Sequence, residues 1–471
     1  MLLSVILSGC ITRGPLPEAP GIDLPDQWEA TLGNPDASFI LDLSDVRVSA
    51  FDFSTTPIPE LIQEALEQSP FLQSTQALAK ANSAGVEVIR GQRRPRVLGR
   101  FQVNRQKQNL GSNPTFGRLF GGGTFIFEHY TSDLALNWEI DLWGRLKDLE
   151  NAAVADFEAA QQDLEAARLS IAAQVARAWI SLTGANLRQE LTAGMVKSHE
   201  ANLAIIENRF QQGLASALDL RLTQASLTSA RASLESQARM KAKAGRHLET
   251  LLARYPSGRV APGQDLPKTG TRIPAGLPAK LLAQRPDIQS AHQRLRAAGF
   301  REREAGKGFL PNISLTGASG TASQNIRELT DSSFSSWNLL GNLAQPILDG
   351  GRIRARMRQT QAFREKAAAD YRSTLLNALR EVENTLDAEG HLTREESALR
   401  QAADEFAQAE TLAWERYRKG LADIITTLEA QRRANEARAR HLAIKTERIH
   451  NRIQLHLALG IKLQGQDAQA P

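Results

Sequence analysis

Two periodicities divide the chain. From Leu134 to Leu142 apolar and polar residues alternate, so that Leu134, Leu136, Trp138, Ile140 and Leu142 fall on one side of an extended chain. Ala135, Asn137, Glu139 and Asp141 fall on the other. Such a segment has the length and pattern of a strand that crosses a membrane in a β-barrel. Val97, Phe101 and Val103, alternating with Leu98, Arg100, Gln102 and Asn104, supply a hairpin partner. A weaker alternation returns in Ile313 and Leu315 against Asn312, Ser314 and Thr316, and in Trp337, Leu339 and Leu343 against Asn338 and Asn342. Taken singly, each strand fits a half-buried antiparallel sheet equally well.

Elsewhere the period is seven. Phe157, Leu164, Ile171 and Ala178 form one seam with Val175 and Leu182 beside it, and Leu421, Leu428, Leu442 and Ile449 form another, broken by Asn435. A seven-residue repeat means helices packed as coiled coils, and alone it predicts nothing more. No proline occurs between Pro114 and Pro256 or between Pro346 and Pro471, which leaves room for uninterrupted helices. Residues 146–212 and 352–419 are predicted to be helices that would each span about 100 Å if continuous. Residues 215–254 and 421–460 return antiparallel to them. Shorter helices at 57–91 and 278–306 are each broken early, at Pro70 or Pro286.

The elements occur twice. Arg209-Phe210-Gln211-Gln212-Gly213-Leu214-Ala215 matches Arg416-Tyr417-Arg418-Lys419-Gly420-Leu421-Ala422 at the spacing from Gly213 to Gly420, and Gly144-Arg145 and Gly351-Arg352 keep that spacing. Val175 and Val382, and Arg231 and Arg438, keep it too. Upstream, Pro70 matches Pro286 and Pro95 matches Pro311 at a slightly larger one, so the first copy carries a longer loop between Pro95 and Gly144. The pattern is a tandem duplication. The first repeat covers 57–255 (hairpin 95–143, long helices 146–254) and the second 278–460 (hairpin 310–349, long helices 352–460). A Pro/Gly-rich linker, 256–277, joins them, and 461–471 is a tail.

Composition then removes function classes. The chain has 471 residues, with 57 Lys+Arg against 52 Asp+Glu and a formal net charge of +5. The charge is mild and spread without a basic block, which speaks against a nucleic-acid partner. A single Cys excludes an intrachain disulfide and a Cys-based zinc site. No run approaches the length of apolar residues that a membrane helix needs. Gly306-Lys307-Gly308 lacks the remaining residues of a phosphate loop, and no Gly-x-Ser-x-Gly elbow occurs. His450 and His456 have the wrong spacing for a shared metal, and the 4 Met residues do not cluster. Arg352, Arg354, Arg356 and Arg358 spread around a helix as a solvated collar just below the membrane. No catalytic or metal-ligating set is found, and no cofactor is expected.

If the strands cross a bilayer, four per chain are too few, because closed membrane barrels begin at about eight and open edges cannot stay in lipid. Several chains must then pool their strands. The hairpin loops 109–130, with Gly121-Gly122-Gly123, and 325–335 would face outward and the long helices inward to the periplasm. The lone Cys fits this placement. Leu7-Ser8-Gly9-Cys10 resembles a bacterial lipobox, in which the Cys is acylated and becomes the mature first residue. Residues 1–10 then read as a partial lipoprotein signal ending in a lipidated Cys10, shorter than the usual 15–30 residues. Ile11 in place of Asp implies sorting to the outer membrane, and 11–56 reads as an extended tether.

Several motifs carry a family resemblance over Pro57 to Gly460: Gly276-Leu277-Pro278, Arg285-Pro286-Asp287-Ile288, Phe309-Leu310-Pro311-Asn312-Ile313-Ser314-Leu315, Leu348-Asp349-Gly350-Gly351-Arg352, and the two Arg-aromatic-x-x-Gly turns. In these the chain resembles the TolC/OprM outer-membrane efflux family. The resemblance is closest to its NodT-like lipoprotein members, the outer-membrane components of RND-type tripartite pumps. It implies an α+β membrane protein: a homotrimer whose four strands per chain form a 12-stranded outer-membrane β-barrel, continuous with a long periplasmic α-helical barrel and a mixed equatorial belt around its middle. It implies no enzymatic activity. The duct would be passive, coupled to an inner-membrane RND transporter through a periplasmic adaptor (membrane fusion) protein, with no cofactor beyond the covalent lipid on Cys10.

The resemblance also assigns sites. Leu134, Leu136, Trp138, Ile140, Leu142, Trp337, Leu339 and Leu343 would face outer-membrane lipid. Gly213, Leu214 and Ser216, with Gly420, Leu421 and Asp423, would form the tip that meets the adaptor, the glycines serving helix reversal. Ile425, Glu429 and Arg432 match the periplasmic constriction, where relatives commonly carry Leu and Asp at the first two. Asp219 and Asp423 either add carboxylates to that gate or tie helices to Arg416 or Tyr417. Two rivals stand beside the efflux duct: a type I protein-secretion component, which usually lacks a lipobox, and a periplasmic coiled-coil spacer lipoprotein, which has no use for an apolar strand face.

Overall fold

The computed structural model describes residues 40–41, 56–109, 124–268, 273–274 and 285–461. Cys10, nearly all of the tether 11–56, Gly121-Gly122-Gly123, Gly276-Leu277-Pro278 and the tail after residue 461 lie outside the described residues. Within them the chain runs β1 (Ile40–Leu41), α1 (Ile58–Gln68), α2 (Pro70–Gln92), β2 (Arg96–Asn109), β3 (Thr124–Ile140), α3 (Arg145–Gln211), α4 (Ala217–Leu251), β4 (Ile273–Pro274), α5 (Pro286–Gly306), β5 (Asn312–Ser323), β6 (Ser335–Ala344), α6 (Arg352–Arg418) and α7 (Ile424–Ala458). The α3 and α6 helices each have 67 residues, and α4 and α7 each have 35.

Element boundaries follow local chemistry. Ser69 leaves the helical region (ψ 118°) because the proline ring behind it crowds that conformation, so α1 and α2 are separate helices. The long helices begin with one device used twice. The Asp141 carboxylate accepts the N–H groups of Leu146 (3.0 Å) and Lys147 (2.8 Å), and Asp349 accepts those of Gly351 (2.9 Å) and Ile353 (2.7 Å). Each Asp thereby satisfies orphan donors at a helix start, while Gly144, Gly350 and Gly351 turn the chain with positive φ.

The chain forms two compact units, each drawing on both halves of the sequence. The first comprises the described residues of Ala79–Ala160 and Ala291–Tyr371. It holds a four-stranded antiparallel sheet in the order β2-β3-β5-β6. The ladders run from Arg96↔Asn137 to Asn109↔Thr124, from Ile140↔Ile313 to Tyr130↔Ser323, and from Asn312↔Ala344 to Thr321↔Ser335. Below the sheet, buried carboxylates hold the first turns of α3. Glu150 takes bonds from Arg90 (3.2 Å) and Arg93 (2.5 Å), and Asp148 from Arg303 (2.8 Å) and Lys307 (2.6 Å). Both would be costly to bury without these cations.

The second unit comprises the described residues of Gly21–Leu78, Gln161–Ser290 and Arg372–Pro471. Its core is the predicted α3 seam, with Ile171, Val175, Ala178 and Leu182 buried beside Trp179, Ile180, Leu248, Ile449 and Ile453, and α1 adds Ile58 and Ile62. Small residues allow close approach: a Cβ at Gly184 would meet Thr446 Oγ1 at 3.1 Å, and one at Gly263 would meet the Trp179 ring at 2.6 Å. The second seam is corrected at one position. Leu421 precedes the first turn of α7 and is 64% exposed, so it belongs to the turn and not to the packed stripe.

Inside this unit lies an ionic cluster that periodicity does not reveal. Glu389 accepts from Arg448 Nε (2.9 Å) and Arg452 Nε (2.8 Å), and Arg448 also reaches Glu396 (2.7 Å). The side chains of Glu389 and Arg452 are each only 2% exposed. Glu389→Ala strands Arg452 without its carboxylate and is expected to lower stability by about 3–5 kcal/mol, seen as an earlier urea midpoint with an unchanged slope. Replacing Glu389 and Arg452 together by Leu and Met should recover most of that loss. A single variant as stable as the wild type would show the pair to be idle.

His450 gives a pH signature. Burial, and then the charges of Arg177 and Arg188, push its imidazole down to about 4. Between an ordinary histidine value near 6.5 and about 4, the unfolded chain takes up a proton that the folded one refuses. Stability therefore falls as pH drops through that window. Tm measured against pH should show a shallower slope in His450→Gln than in the wild type; equal slopes would place the acid sensitivity elsewhere.

Candidate functional site: an apolar sheet face and two helix-reversal tips

Directly paired residues of an antiparallel ladder point to the same face. The register therefore gathers Val97, Phe101 and Val103 of β2, Leu134, Leu136, Trp138 and Ile140 of β3, Ile313 and Leu315 of β5, and Trp337, Leu339 and Leu343 of β6 on one side. Much of this face is open: Trp337 is 80% exposed and Leu343 68%. The band runs between Ile140 and Tyr130 and gives way beyond it to the ion pair Arg105–Glu128 (2.9 Å). It has the height of a tilted membrane strand, about 9–11 residues. The opposite face carries Gln102, Asn104, Asn137, Glu139, Ser314, Thr316, Asn338 and Asn342, and Arg100 bonds both oxygens of Asp133 at 3.0 Å. Leu98 and Leu340 are apolar exceptions there.

Leu142 is a correction. The strand ends at Ile140, where Asp141 is drawn into its capping role, so Leu142 sits in the following turn and not in the strand's alternation. Trp138 is held at the rim by its indole N–H, which donates to Arg93 O at 2.9 Å.

The two helix reversals use the same backbone geometry. Gly213 and Gly420 both have φ 74°. Gly213 N–H donates to Phe210 O (3.0 Å) and Leu214 N–H to Arg209 O (2.7 Å); Gly420 N–H donates to Tyr417 O (3.0 Å) and Leu421 N–H to Arg416 O (2.8 Å). These bonds close the last helical turn in a Schellman arrangement. The returning helices start at Ser216 and Asp423. Ser216 and Asp219 form a reciprocal capping box (3.1 and 2.9 Å), and Asp423 accepts from Thr426 N–H at 2.7 Å. The tip's polar groups thus satisfy each other. Leu214, Leu218, Leu421 and Ile425, all 59–64% exposed, are left facing solvent.

The proposed ties from Asp219 and Asp423 to Arg416 or Tyr417 take a different form. Both carboxylates are engaged as caps, and Arg416 is exposed, contributing its carbonyl to the turn. The inter-helix tie is made by Arg209, whose guanidinium lies 5.1 Å from the Tyr417 ring centroid. Tyr417 also packs edge-on against Trp414, in a small cluster with Ile206 and Ile424. Burial raises the Tyr417 hydroxyl above its ordinary value.

Among the gate candidates, Arg432 grips Glu429 through two bonds of 2.8 and 2.9 Å, Arg433 adds a third at 2.7 Å, and Glu436 answers Arg432 at 3.2 Å. These bonds, Arg432's first, hold the Glu429 carboxyl down at about 2. Ile425 lies one turn earlier, 59% exposed. Buried behind them, Gln431 donates to Ser198 (3.1 Å) and accepts from Asn202 (3.4 Å). Sequence reading missed this polar contact because its partners lie far apart along the chain. Among the described residues, no group of three or more His, Cys, Asp or Glu is placed to hold a metal ion.

An open antiparallel sheet with one apolar face, joined in the chain to long helical hairpins, defines a membrane channel protein of mixed strand-and-helix build. The family model described as "Outer membrane efflux protein" matches residues 61–254 and 277–461, and the chain belongs to that family. It is 33% identical over 438 residues to the outer membrane protein OprJ of Pseudomonas aeruginosa, covering 92% of this chain and 88% of the relative. It is 29% identical over 416 residues to the solvent efflux pump outer membrane protein SrpC of Pseudomonas putida, covering 87% and 86%. The solved outer-membrane channel OprN superimposes with a TM-score of 0.84 at 25% identity, over 95% of this chain and 99% of that one. The protein is an outer-membrane efflux channel that extends into the periplasm.

The tip glycines permit a direct test. Nothing lies within 4 Å of a Cβ built on either, so the cost of Gly213→Ala or Gly420→Ala is conformational alone, roughly 1–2 kcal/mol for a left-handed residue. Asn, which tolerates that region, should cost less. Thermal unfolding of the purified variants reads the difference; Ala as harmless as Asn would remove positive φ as the reason for glycine.

Proposed function

We propose that three copies of this chain close their sheets edge to edge into one 12-stranded barrel and pool their helices into a periplasmic tunnel. The carrying observation is the sheet itself: four strands with an apolar face and two unpaired edges, β2 and β6. Membrane barrels need about eight strands or more, and an edge left open in lipid strands its backbone groups. Because neighbours alternate in direction, β2 and β6 run oppositely, so β6 of one copy meets β2 of the next in the antiparallel sense used throughout. The equal lengths of α3 and α6, and of α4 and α7, support an internal duplication that supplies the tunnel with equivalent helices.

In this reading Leu134, Leu136, Trp138, Ile140, Trp337, Leu339 and Leu343 face lipid, and the polar face lines the water-filled lumen. Cys10 carries a lipid anchor. The linker 256–277 contributes to an equatorial belt. The tips of Leu214 and Leu421 meet a periplasmic adaptor, which joins the duct to an inner-membrane RND transporter. No residue set calls for catalysis or a cofactor: the channel conducts drugs or other small molecules passively, and the relation to a solvent efflux pump protein favours such cargo. Repeated by symmetry around an axis, Glu429 becomes a ring of carboxylates held by Arg432 and Arg433.

Detergent-purified protein of trimeric mass that forms conducting channels in planar bilayers is the expected result; a monomer that stays soluble without detergent and conducts nothing would overturn the proposal. Glu429→Ala removes the carboxylate that Arg432 and Arg433 share, leaving Arg432 to Glu436, and is expected to raise single-channel conductance or antibiotic leakage. Unchanged conductance would move the constriction away from this turn.

A further inference from the structure

The arginine collar at the start of α6 remains without a role in conduction. Within the first unit, a cleft of about 830 Å³ opens where β6 ends and α6 begins. Its apolar wall includes Trp143, Leu310, Ile313 and Ile353, and Trp143 is fixed by its N–H bond to Pro311 O at 2.7 Å. Ile140 and Ile313 end the apolar strand band, and Glu139 and Asn312 of the opposite face line the cleft with them, so it opens at this end of the sheet. Beside it, Ile347 and Leu348 are 98% and 94% exposed.

Four cations line the cleft, and they are not equivalent. Arg145 is neutralised by Glu139 (2.8 Å) and Glu304 (3.0 Å), and Lys307 by Asp148 (2.6 Å). Among the described residues, Arg352 and Arg356 have no ion pair. The Arg352 charge acts on Asp349 without a salt bridge to it, and that carboxylate already accepts two backbone N–H groups. In the channel reading the segment leading into β2 of a neighbouring copy, next to β6, carries the exposed Arg94 and Arg96.

We propose that this cleft binds the headgroup of an anionic phospholipid, with Arg352 and Arg356 on the phosphate and an acyl chain along Ile313, Ile347 and Leu348. The chemistry matches at both ends. Guanidinium groups bond phosphate oxygens in pairs. An indole beside them marks the depth at which headgroups sit. An anion without a tail would leave the apolar wall uncovered. The inference rests on the membrane-spanning reading of the strands, and it adds a specific lipid site where that reading asks only for generic hydrocarbon.

The test uses the full chain, delipidated in a neutral detergent and titrated with short-chain phosphatidylglycerol, with phosphatidylcholine of the same chain length, and with inorganic phosphate. Phosphatidylglycerol is expected to bind best. The double variant Arg352→Ala/Arg356→Ala should lose roughly tenfold to thirtyfold of that affinity, two surface arginines' worth of attraction to an anionic headgroup. Arg354→Ala/Arg358→Ala, outside the cleft lining, should bind as the wild type does. Equal binding of the two lipids, equal binding by wild type and the cleft variant, or inorganic phosphate bound as tightly as phosphatidylglycerol would each overturn the proposal. Bilayer conductance of the same preparations separates the two ideas: a conducting wild type without lipid preference defeats the site alone, and a non-conducting wild type defeats the channel reading.

Discussion

Everything in the strand region answers to one constraint: a backbone N–H or C=O in hydrocarbon must find a protein partner. Inside the sheet every strand meets that demand through its ladders. At β2 and β6 the outer side is paired with no other strand among the described residues. An even number of alternating strands is the arrangement that lets identical copies finish the job, because the first and last strands then run in opposite directions. The same constraint fixes the side-chain pattern. Once backbone polarity is settled by pairing, each strand can sort its residues between two faces, and the register shows an apolar and a polar face across all four strands, with Leu98 and Leu340 as exceptions. Tyr130 and the Arg105–Glu128 pair mark where hydrocarbon no longer governs.

The helical parts solve a different problem, that of long Ala-rich helices with little apolar bulk. Their packing relies on close approach, as at Gly184 against Thr446, and on a few buried charges. Here the two halves differ. The sequence offset from Gly213 to Gly420 equates Leu182 with Glu389 and Gly245 with Arg452. The first half buries an apolar side chain and brings Gly245 against the backbone of Gly258. The second half buries Glu389 beside Arg448 and Arg452. A coiled-coil seam can slide by a heptad at small cost, whereas a buried carboxylate shared by two arginines has one acceptable register. The charge cluster therefore specifies where α7 lies along α6, at a place where Ala-rich surfaces alone would specify little.

Much of this was legible in the sequence. Period-two alternation located the strands and their apolar face, and long proline-free windows located α3 and α6 to within a residue or two. Those signals are local, and each rests on a repeat that one element carries by itself. What escaped was of two kinds. Leu142 and Leu421 continue a periodic pattern past the end of its element, and only the competing chemistry of the Asp141 cap or the Gly420 turn stops it. The Glu389 cluster, the Gln431 contacts and the Arg209–Tyr417 stacking join residues scores of positions apart, and no pattern in either segment announces the partner. The collar of arginines was visible as a row, but not that Arg352 and Arg356 line one cleft beside the neutralised Arg145 and Lys307, since that distinction needs the carboxylates' positions.

The helix tips show how turn chemistry and recognition are connected. A reversal that left carbonyls or N–H groups unpaired would hold water tightly, and docking a partner there would first require stripping it away. Here Gly213 and Gly420 close the outgoing helices, and the Ser216–Asp219 box and Asp423 close the returning ones. Among the side chains that remain at the surface, Leu214, Leu218, Leu421 and Ile425 are aliphatic, and covering them releases water. Ser216 and Asp423 are engaged in capping, so their side-chain oxygens are spent on the turn itself. The two tips are nonetheless distinguishable. Phe210 is 41% exposed, while its counterpart Tyr417 is buried under Arg209 beside Trp414. The same turn therefore occurs twice on two different flanks, one with an exposed phenylalanine and one with a buried tyrosine.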